Sequence, residues 1–261
     1  MKVSSDFTSA VVSNWSAESG SRHVSDSTGR VRADISPGYV TDVYPVLYQD
    51  RHLQVIDKPA GIPTIPPRTG GMSIATESGL LVCHRLDTDT SGVLVLAKSA
   101  AGQRLISVAF EERRVRKGYL AHGVGAPLAG GSTLVAALPD EGSCTLALGE
   151  WQRGRVQIGR GRSAETRWSV RDRRENHLLI EAFPLTGRTH QVRAHLSASG
   201  APLWGDEAYG GPAAPSLGLH AWWIELPWPN AGDRLLIVTP PPPAFVEAWG
   251  APIGLTPTGA A

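Results

Sequence analysis

Cysteine is scarce: Cys83 and Cys144 are the two in 261 residues. Two thiols exclude a disulfide framework, their spacing is not that of a zinc site, and both facts agree with a reducing compartment. Long apolar runs are missing as well. No stretch approaches the ~20 apolar residues of a membrane-spanning helix. The N-terminal residues lack the apolar centre of a secretory signal, so the expectation is a cytoplasmic protein without membrane contact. Excess charge of one sign is also absent: 25 Lys and Arg stand against 24 Asp and Glu, a net +1. A broad phosphate footprint normally shows as a strongly basic domain, so composition alone does not announce a nucleic-acid binder. Residues 1–40, rich in Ser, Gly and Asp, have no sustained period and read as a flexible leader.

What is present begins with strands. Tyr44 to Tyr48 and Leu53 to Asp57 read as a pair joined at Gln49-Asp50-Arg51. The stiff loop Lys58-Pro59-Ala60-Gly61-Ile62-Pro63 then presents Lys58 at a fixed place, either to a phosphate or to solvent at an edge strand. Leu80-Leu81-Val82 and Val93-Leu94-Val95-Leu96-Ala97 read as buried strands flanking His84-Arg85-Leu86-Asp87-Thr88-Asp89-Thr90-Ser91-Gly92. Seven of those nine residues carry a polar side chain, more than a turn needs. Asp87 beside Arg85 offers an ionised carboxylate suited to a nucleophile or base; a plain Asx or Ser/Thr turn is the competing explanation.

Ser99 can cap a helix running to about Phe110, with Leu105, Ile106, Ala109 and Phe110 on one face. Arg113, Arg114, Arg116 and Lys117 follow and lead into a strand at Gly118-Tyr119-Leu120-Ala121. A basic run ending in an aromatic suits a nucleic acid, while cations at a helix C-terminus also suit its dipole. Residues 123–163 are Gly-rich and weakly patterned. There Arg153, Arg155, Arg160 and Arg162 form a basic hairpin or loop that lies over a polyanion or simply faces solvent.

Glu165 to Val170 and Leu178 to Phe183 read as paired strands. The second runs into Thr186-Gly187-Arg188-Thr189-His190-Gln191-Val192-Arg193-Ala194-His195-Leu196, a strand-to-helix turn with Val192 and Leu196 inward and Gly200 as the stop. Arg188 stands near the helix N-terminus, where its partner is a phosphate or Asp87. His190 and His195 lie five apart, off the spacing for a shared metal, so no metal site is expected. Leu219 to Leu226 and Arg234 to Val238 close the strands, and a short helix surrounds Phe245 to Trp249. The class is α+β, with a mixed, mainly antiparallel sheet.

In order and spacing, six blocks resemble the RluA-type pseudouridine synthases, which isomerise selected uridines in ribosomal or transfer RNA. They are Lys58-Pro59-Ala60-Gly61, His84 to Lys98, Lys117-Gly118-Tyr119, Thr186 to Leu196, Gly205-Asp206 to Tyr209-Gly210, and Leu219-His220-Ala221, covering roughly residues 44–227. The resemblance implies Asp87 as catalytic aspartate, Tyr119 as the ring that packs on uracil and acts on the C5 proton, and Arg188 as the arginine paired with Asp87. It also implies that Arg85 enters the RNA stack where the uridine has left. Substrate contacts are expected from Arg85, His84, Thr90, Lys58, Lys117, His190 and Gln191. No metal or organic cofactor is implied, RNA is the partner, and a monomer is the default expectation. The implied fold has flanking helices and an RNA cleft across the middle. A catalytic domain over residues 41–250 and a flexible tail from 251 to 261 complete the expected organisation.

The chain departs from the family pattern in three places. Its leader looks too short for an S4 RNA-binding domain, Arg162 stands where lysine is common, and Ser216 stands where arginine is frequent. Two rivals compete: a non-catalytic RNA-binding or chaperone protein of the same fold, and an aspartic-protease-like hydrolase suggested by Asp89-Thr90-Ser91-Gly92. The second needs a matching second loop, which the sequence does not supply.

Overall fold

The computed structural model describes residues 44–127, 133–134, 138–228, 230, 233–251 and 253–258, and the backbone of three earlier strands. Those are β1 (Val12–Asn14), β2 (Arg22–Ser25) and β3 (Arg30–Asp34). β3 pairs in parallel with a strand near the C-terminal end, Arg234–Val238. Strand therefore occurs within the expected leader, because an existing sheet edge can order a segment whose own pattern is weak.

β4 (Val46–Gln49) and β5 (Leu53–Lys58) form the expected hairpin, followed by α1 (Ile74–Ser78), β6 (Leu81–Val82) and β7 (Ser91–Ala97). All seven β7 residues are buried. Leu94 and Leu96 enter one core cluster while Val93, Val95 and Ala97 enter another, the two-residue alternation of a strand covered on both faces. α2 (Ala100–Glu111) covers one of those faces; the Ser99 hydroxyl caps it by accepting from Gly102 N at 3.2 Å, as the sequence suggests.

β8 (Arg116–Val124) is longer than its apolar run predicts. The weakly patterned region holds β9 (Ala126–Pro127), β10 (Thr133–Leu134), β11 (Glu141–Cys144), and a hairpin of β12 (Leu148–Gln152) and β13 (Arg155–Ile158). β14 (Thr166–Arg174) and β15 (His177–Pro184) lead to α3 (Gln191–Ala198). β16 (Leu219–Leu226), β17 (Arg234–Val238) and α4 (Pro243–Trp249) finish the core.

The sheet forks at β16. Its antiparallel arm runs β17-β16-β8-β15-β14-β11, and its other arm runs through β7 and β5 to β4. The arms meet where His220 and Ala221 pair in parallel with Ser91 and Gly92. Gly92 makes this possible: its φ is +111°, and a Cβ there would lie 2.2 Å from the Ala221 carbonyl oxygen. A buried chain ties the arms further, with Ser91 Oγ 2.9 Å from His220 Nδ1, His220 Nε2 3.1 Å from Thr239 O, and Thr239 Oγ1 2.9 Å from Asp57 Oδ2. A carbonyl only accepts, so His220 carries its proton on Nε2 and its Nδ1 accepts from Ser91. Burial pushes the His220 imidazole down to about 4 and keeps it neutral.

The expected flexible tail does not hold for the described residues beyond 250. Ala251, Ile253 and Leu255 pack on the Trp223 core, and Thr258 donates through Oγ1 to Glu181 Oε2 at 2.6 Å. Among the described residues, no helix is long and apolar enough to cross a membrane, and no cluster of three or more His, Cys, Asp or Glu side chains could hold a metal.

Candidate active site

Three segments converge at the fork: the loop entering β7 with Asp87, β8 with Lys117 and Tyr119, and the β15–α3 turn with Arg188, His190 and Arg193. Together they line a cavity of about 90 Å³. Arg85, Asp87, Thr189 and His190 also line a wider cleft of about 720 Å³, together with Arg68 and with Glu150 and Trp151 of β12.

The backbone around Asp87 is pinned from outside. Lys58 Nζ donates to Pro59 O at 2.7 Å and Thr88 O at 2.9 Å, and Gly61 N also donates to Thr88 O. Thr64 Oγ1 donates to Leu86 O at 2.8 Å and accepts from Leu86 N at 3.1 Å. Ser91, held by His220, fixes the far end. The carboxylate itself is left for charge contacts, with Oδ2 3.7 Å from Arg193 Nη1 and 3.8 Å from His190 Nε2.

Arg193 is the organising cation. Its Nε and Nη2 donate to the two Asp206 oxygens at 2.7 and 2.6 Å, and its guanidinium lies 5.3 Å over the Tyr209 ring. Such a forked, planar pair fixes orientation as well as charge. Nη1 also reaches His190 Nε2 at 3.1 Å. Since arginine only donates, that nitrogen accepts, and the neutral ring carries its proton on Nδ1, 3.2 Å from Tyr209 Oη. Tyr209 Oη also accepts from Val156 N at 2.8 Å, which joins the β12–β13 hairpin to the site. His190 stands at φ +52° at the start of α3, a left-handed conformation uncommon for a non-glycine residue.

Electrostatics follow from burial. Desolvation raises the Asp87 carboxyl above its usual range, while Arg193 and Arg85 oppose that shift. Burial and the negative charge of Asp87 push the Tyr119 phenol up, so its hydroxyl is protonated at neutral pH. Burial lowers Lys117 to about 8, and burial together with Arg193 brings His190 down to about 4.

The RNA pseudouridylate synthase family model matches residues 52–198. The chain belongs to that family. Among RluA-type members, the dual-specificity RNA pseudouridine synthase RluA of Escherichia coli K12 is 32% identical over 211 residues, covering 75% of this chain and 92% of the relative. The ribosomal large subunit pseudouridine synthase D of Nitrosomonas europaea is 31% identical over 224 residues, covering 76% of this chain. The match spans 62% of that relative's length, less than two thirds. The solved structure of human RNA pseudouridylate synthase domain containing 4 superimposes with a TM-score of 0.64 at 27% identity, over 79% of this chain and 92% of that one.

Within this family framework the expected site residues divide. Asp87, Tyr119, Arg85, Thr90, Lys117, Arg188, His190 and Gln191 all line the inner cavity. The Thr90 hydroxyl is buried there without a partner, and the Tyr119 hydroxyl has none among the described residues. The expected pairing of Arg188 with Asp87 is corrected. Arg188 Nε donates to Ser163 O at 3.1 Å, and the guanidinium beside Asp87 is that of Arg193.

Three expected substrate contacts are likewise committed inside the protein. Lys58 is fully buried on its two carbonyls. His84 Nε2 accepts from Val95 N at 3.0 Å, with its ring against Phe110. Gln191 lines the cavity, but its amide has four partners: Oε1 accepts from Thr186 Oγ1 at 2.6 Å and Arg188 N at 3.0 Å, and Nε2 donates to Glu165 O at 2.8 Å and Thr166 Oγ1 at 3.0 Å. Most buried polar groups find partners, and these find theirs in neighbouring backbone and side chains, His84 Nδ1 excepted.

Helical periodicity missed Arg193. It sets Val192 and Leu196 inward and leaves Arg193 facing solvent, yet α3 is buried from Gln191 through Leu196. The available signal was the Gly205-Asp206 to Tyr209-Gly210 block, whose acid needs a cation once buried.

Proposed function

We propose that this chain isomerises uridine to pseudouridine in ribosomal or transfer RNA, with Asp87 as the carboxylate that engages C1′ of a flipped-out nucleotide. One observation carries the reading: Asp87 lines a cavity with Tyr119 on its wall, while its backbone is pinned and its side chain is left to a guanidinium. The names of the relatives support the choice of RNA, one being dual-specific for RNA and the other acting on the large ribosomal subunit.

The chemistry asks for an ionised carboxylate at an oxocarbenium-like carbon, as in glycoside cleavage. Attack of Asp87 on C1′ to form an ester, or its removal of the C2′ proton to form a glycal, breaks the N1–C1′ bond and releases uracil as its N1 anion. After rotation, the C5–C1′ bond forms, displacing Asp87 from the ester or, on the glycal route, with the proton held by Asp87 returned to C2′. C5 then loses a proton and N1 gains one, so the product is an isomer of the substrate. Arg193 favours the charged form of Asp87 that either route requires.

Extruding the base costs a few kcal/mol. Arg85 is exposed and lines the cleft with no hydrogen-bond or short ion-pair partner among the described residues, so it can fill the vacated stack. Tyr119 stacks on the uracil, worth about 1–3 kcal/mol in single-strand binders. Thr90, Lys117 and Arg188 offer further polar contacts within the cavity.

Mapping pseudouridines in cellular RNA with the gene intact, deleted, or carrying Asp87→Asn tests this. One or a few uridines should stay unmodified in the second and third strains, with the Asp87→Asn protein still binding RNA. Unchanged maps of ribosomal and transfer RNA would reject the assignment. A variant that modifies RNA like the wild type would remove Asp87 from the mechanism.

A further inference from the structure

The β12–β13 hairpin also lines a second concavity, of about 970 Å³. Arg153, Arg155 and Arg160 line it, Val156 and Tyr209 are among the other lining residues, and no carboxylate does. All three arginines are exposed, and among the described residues none has an ion-pair or side-chain hydrogen-bond partner. Other arginines are paired with carboxylates: Arg171 with Glu181, Arg173 with Asp140, Arg193 with Asp206. The concavity thus gathers three arginine charges with no carboxylate in its lining to offset them. The tip is stiff, since Arg153 and Gly154 have φ of +48° and +85°, both central residues being left-handed as in the tightest hairpin turns.

This surface continues the catalytic cleft. Trp151 lines the cleft that holds Asp87, and the next residue, Gln152, lines the concavity. His190, which lines the cleft, also contacts Tyr209, which lines the concavity. Trp151 is 53% exposed and meets His190 edge-on at 4.5 Å, which leaves ring surface for a base.

We propose that this concavity is a second RNA-binding surface, where Arg153, Arg155 and Arg160 hold the phosphodiester backbone of the strand leaving the catalytic cleft. The proposal takes RNA as the ligand of that cleft from the reading above. A guanidinium fork fits phosphate oxygens, and such contacts position RNA without reading its sequence.

The test compares the full-length wild type with the triple variant Arg153→Gln, Arg155→Gln, Arg160→Gln. The probe is a fluorescently labelled stem-loop transcript with uridines in its loop, made with and without a single-stranded extension. Three lost phosphate contacts should lower the slope of log affinity against log salt by about 2 and weaken binding of the extended probe on the order of 30-fold near ~0.15 M salt. The unextended stem-loop should change far less. The single-turnover rate at saturating RNA should be kept, and the matching Arg→Lys triple variant should recover most of the slope. An unchanged slope and affinity for the extended probe would overturn the proposal even where the wild type makes pseudouridine. If the slope falls but the wild type forms no pseudouridine, the surface stands and the catalytic reading falls.

Discussion

The loop that enters β7 and the turn that enters α3 are built from similar sequence, short polar runs between a strand and the next element, yet their side chains are held in opposite ways. In the loop, residues from elsewhere grip the backbone. Lys58 and Thr64 hold Thr88 and Leu86, His220 holds Ser91, and the Asp87 carboxylate is left without a short hydrogen bond. In the turn the side chains grip one another and their neighbours: Gln191 ties Thr186 to Glu165, and Arg193 is clamped by Asp206 and His190. On the proposed role of Asp87, a carboxylate that reacts keeps its lone pairs free, so its position has to come from its main chain. A cation that must stay beside it can be fixed through its own donors.

The hardest test of this contrast sets Arg193→Gln against Arg188→Gln. Removing Arg193 leaves Asp206 buried without its partner, a loss of about 3–5 kcal/mol for a broken buried pair, and pseudouridine formation should fall steeply. Arg188→Gln should leave stability within about 0.5 kcal/mol and act mainly on RNA affinity. Thermal melts and single-turnover assays decide; equal stability losses would erase the distinction between the two arginines.

A smaller effect is expected from Lys58→Met, which gives up two charge-assisted bonds to carbonyls. About 1–3 kcal/mol of stability should be lost, with activity falling as the loop loosens. Arg85→Met should leave the melting temperature near that of the wild type and lower the rate on RNA. Urea titrations of both proteins, read beside their activity, would sharpen the division between a positioning residue and an exposed one.

A further effect is pH dependence. Burial holds His84 at about 3 and His190 at about 4, against 6.5 for an ordinary imidazole. The unfolded chain therefore binds more protons than the folded one below about pH 6.5, and stability falls on acidification from there. The two contributions should match down to about pH 4, below which His84 alone continues to act. Denaturant midpoints for His84→Asn and His190→Asn at several pH values would show it, each variant losing part of the wild-type slope. Identical slopes in all three proteins would mean that neither ring is held neutral.

Much of the local structure was legible. Apolar runs marked β5, β7 and β15, Ser99 announced the start of α2, and Gly200, with φ +92°, follows the end of α3. The arginine beside Asp87 was not, because a helix buried from Gln191 to Leu196 has no solvent face for periodicity to reveal. The role of Lys58 was hidden for a related reason. Its acceptor Thr88 lies thirty residues away, so its sequence neighbours could suggest only an exposed cation.

By itself the sequence determined which of the strongly apolar segments are strands, where α2 begins and α3 ends, and which motifs bear on chemistry, since each depends on residues a few positions apart. Tertiary structure alone decided which polar side chains face the cavity and which are consumed as struts. The partners are distant in the chain, as with Asp57 and Thr239, 182 residues apart, or Trp151 and His190. A buried donor or acceptor takes its role from whatever the fold brings within about 3 Å of it.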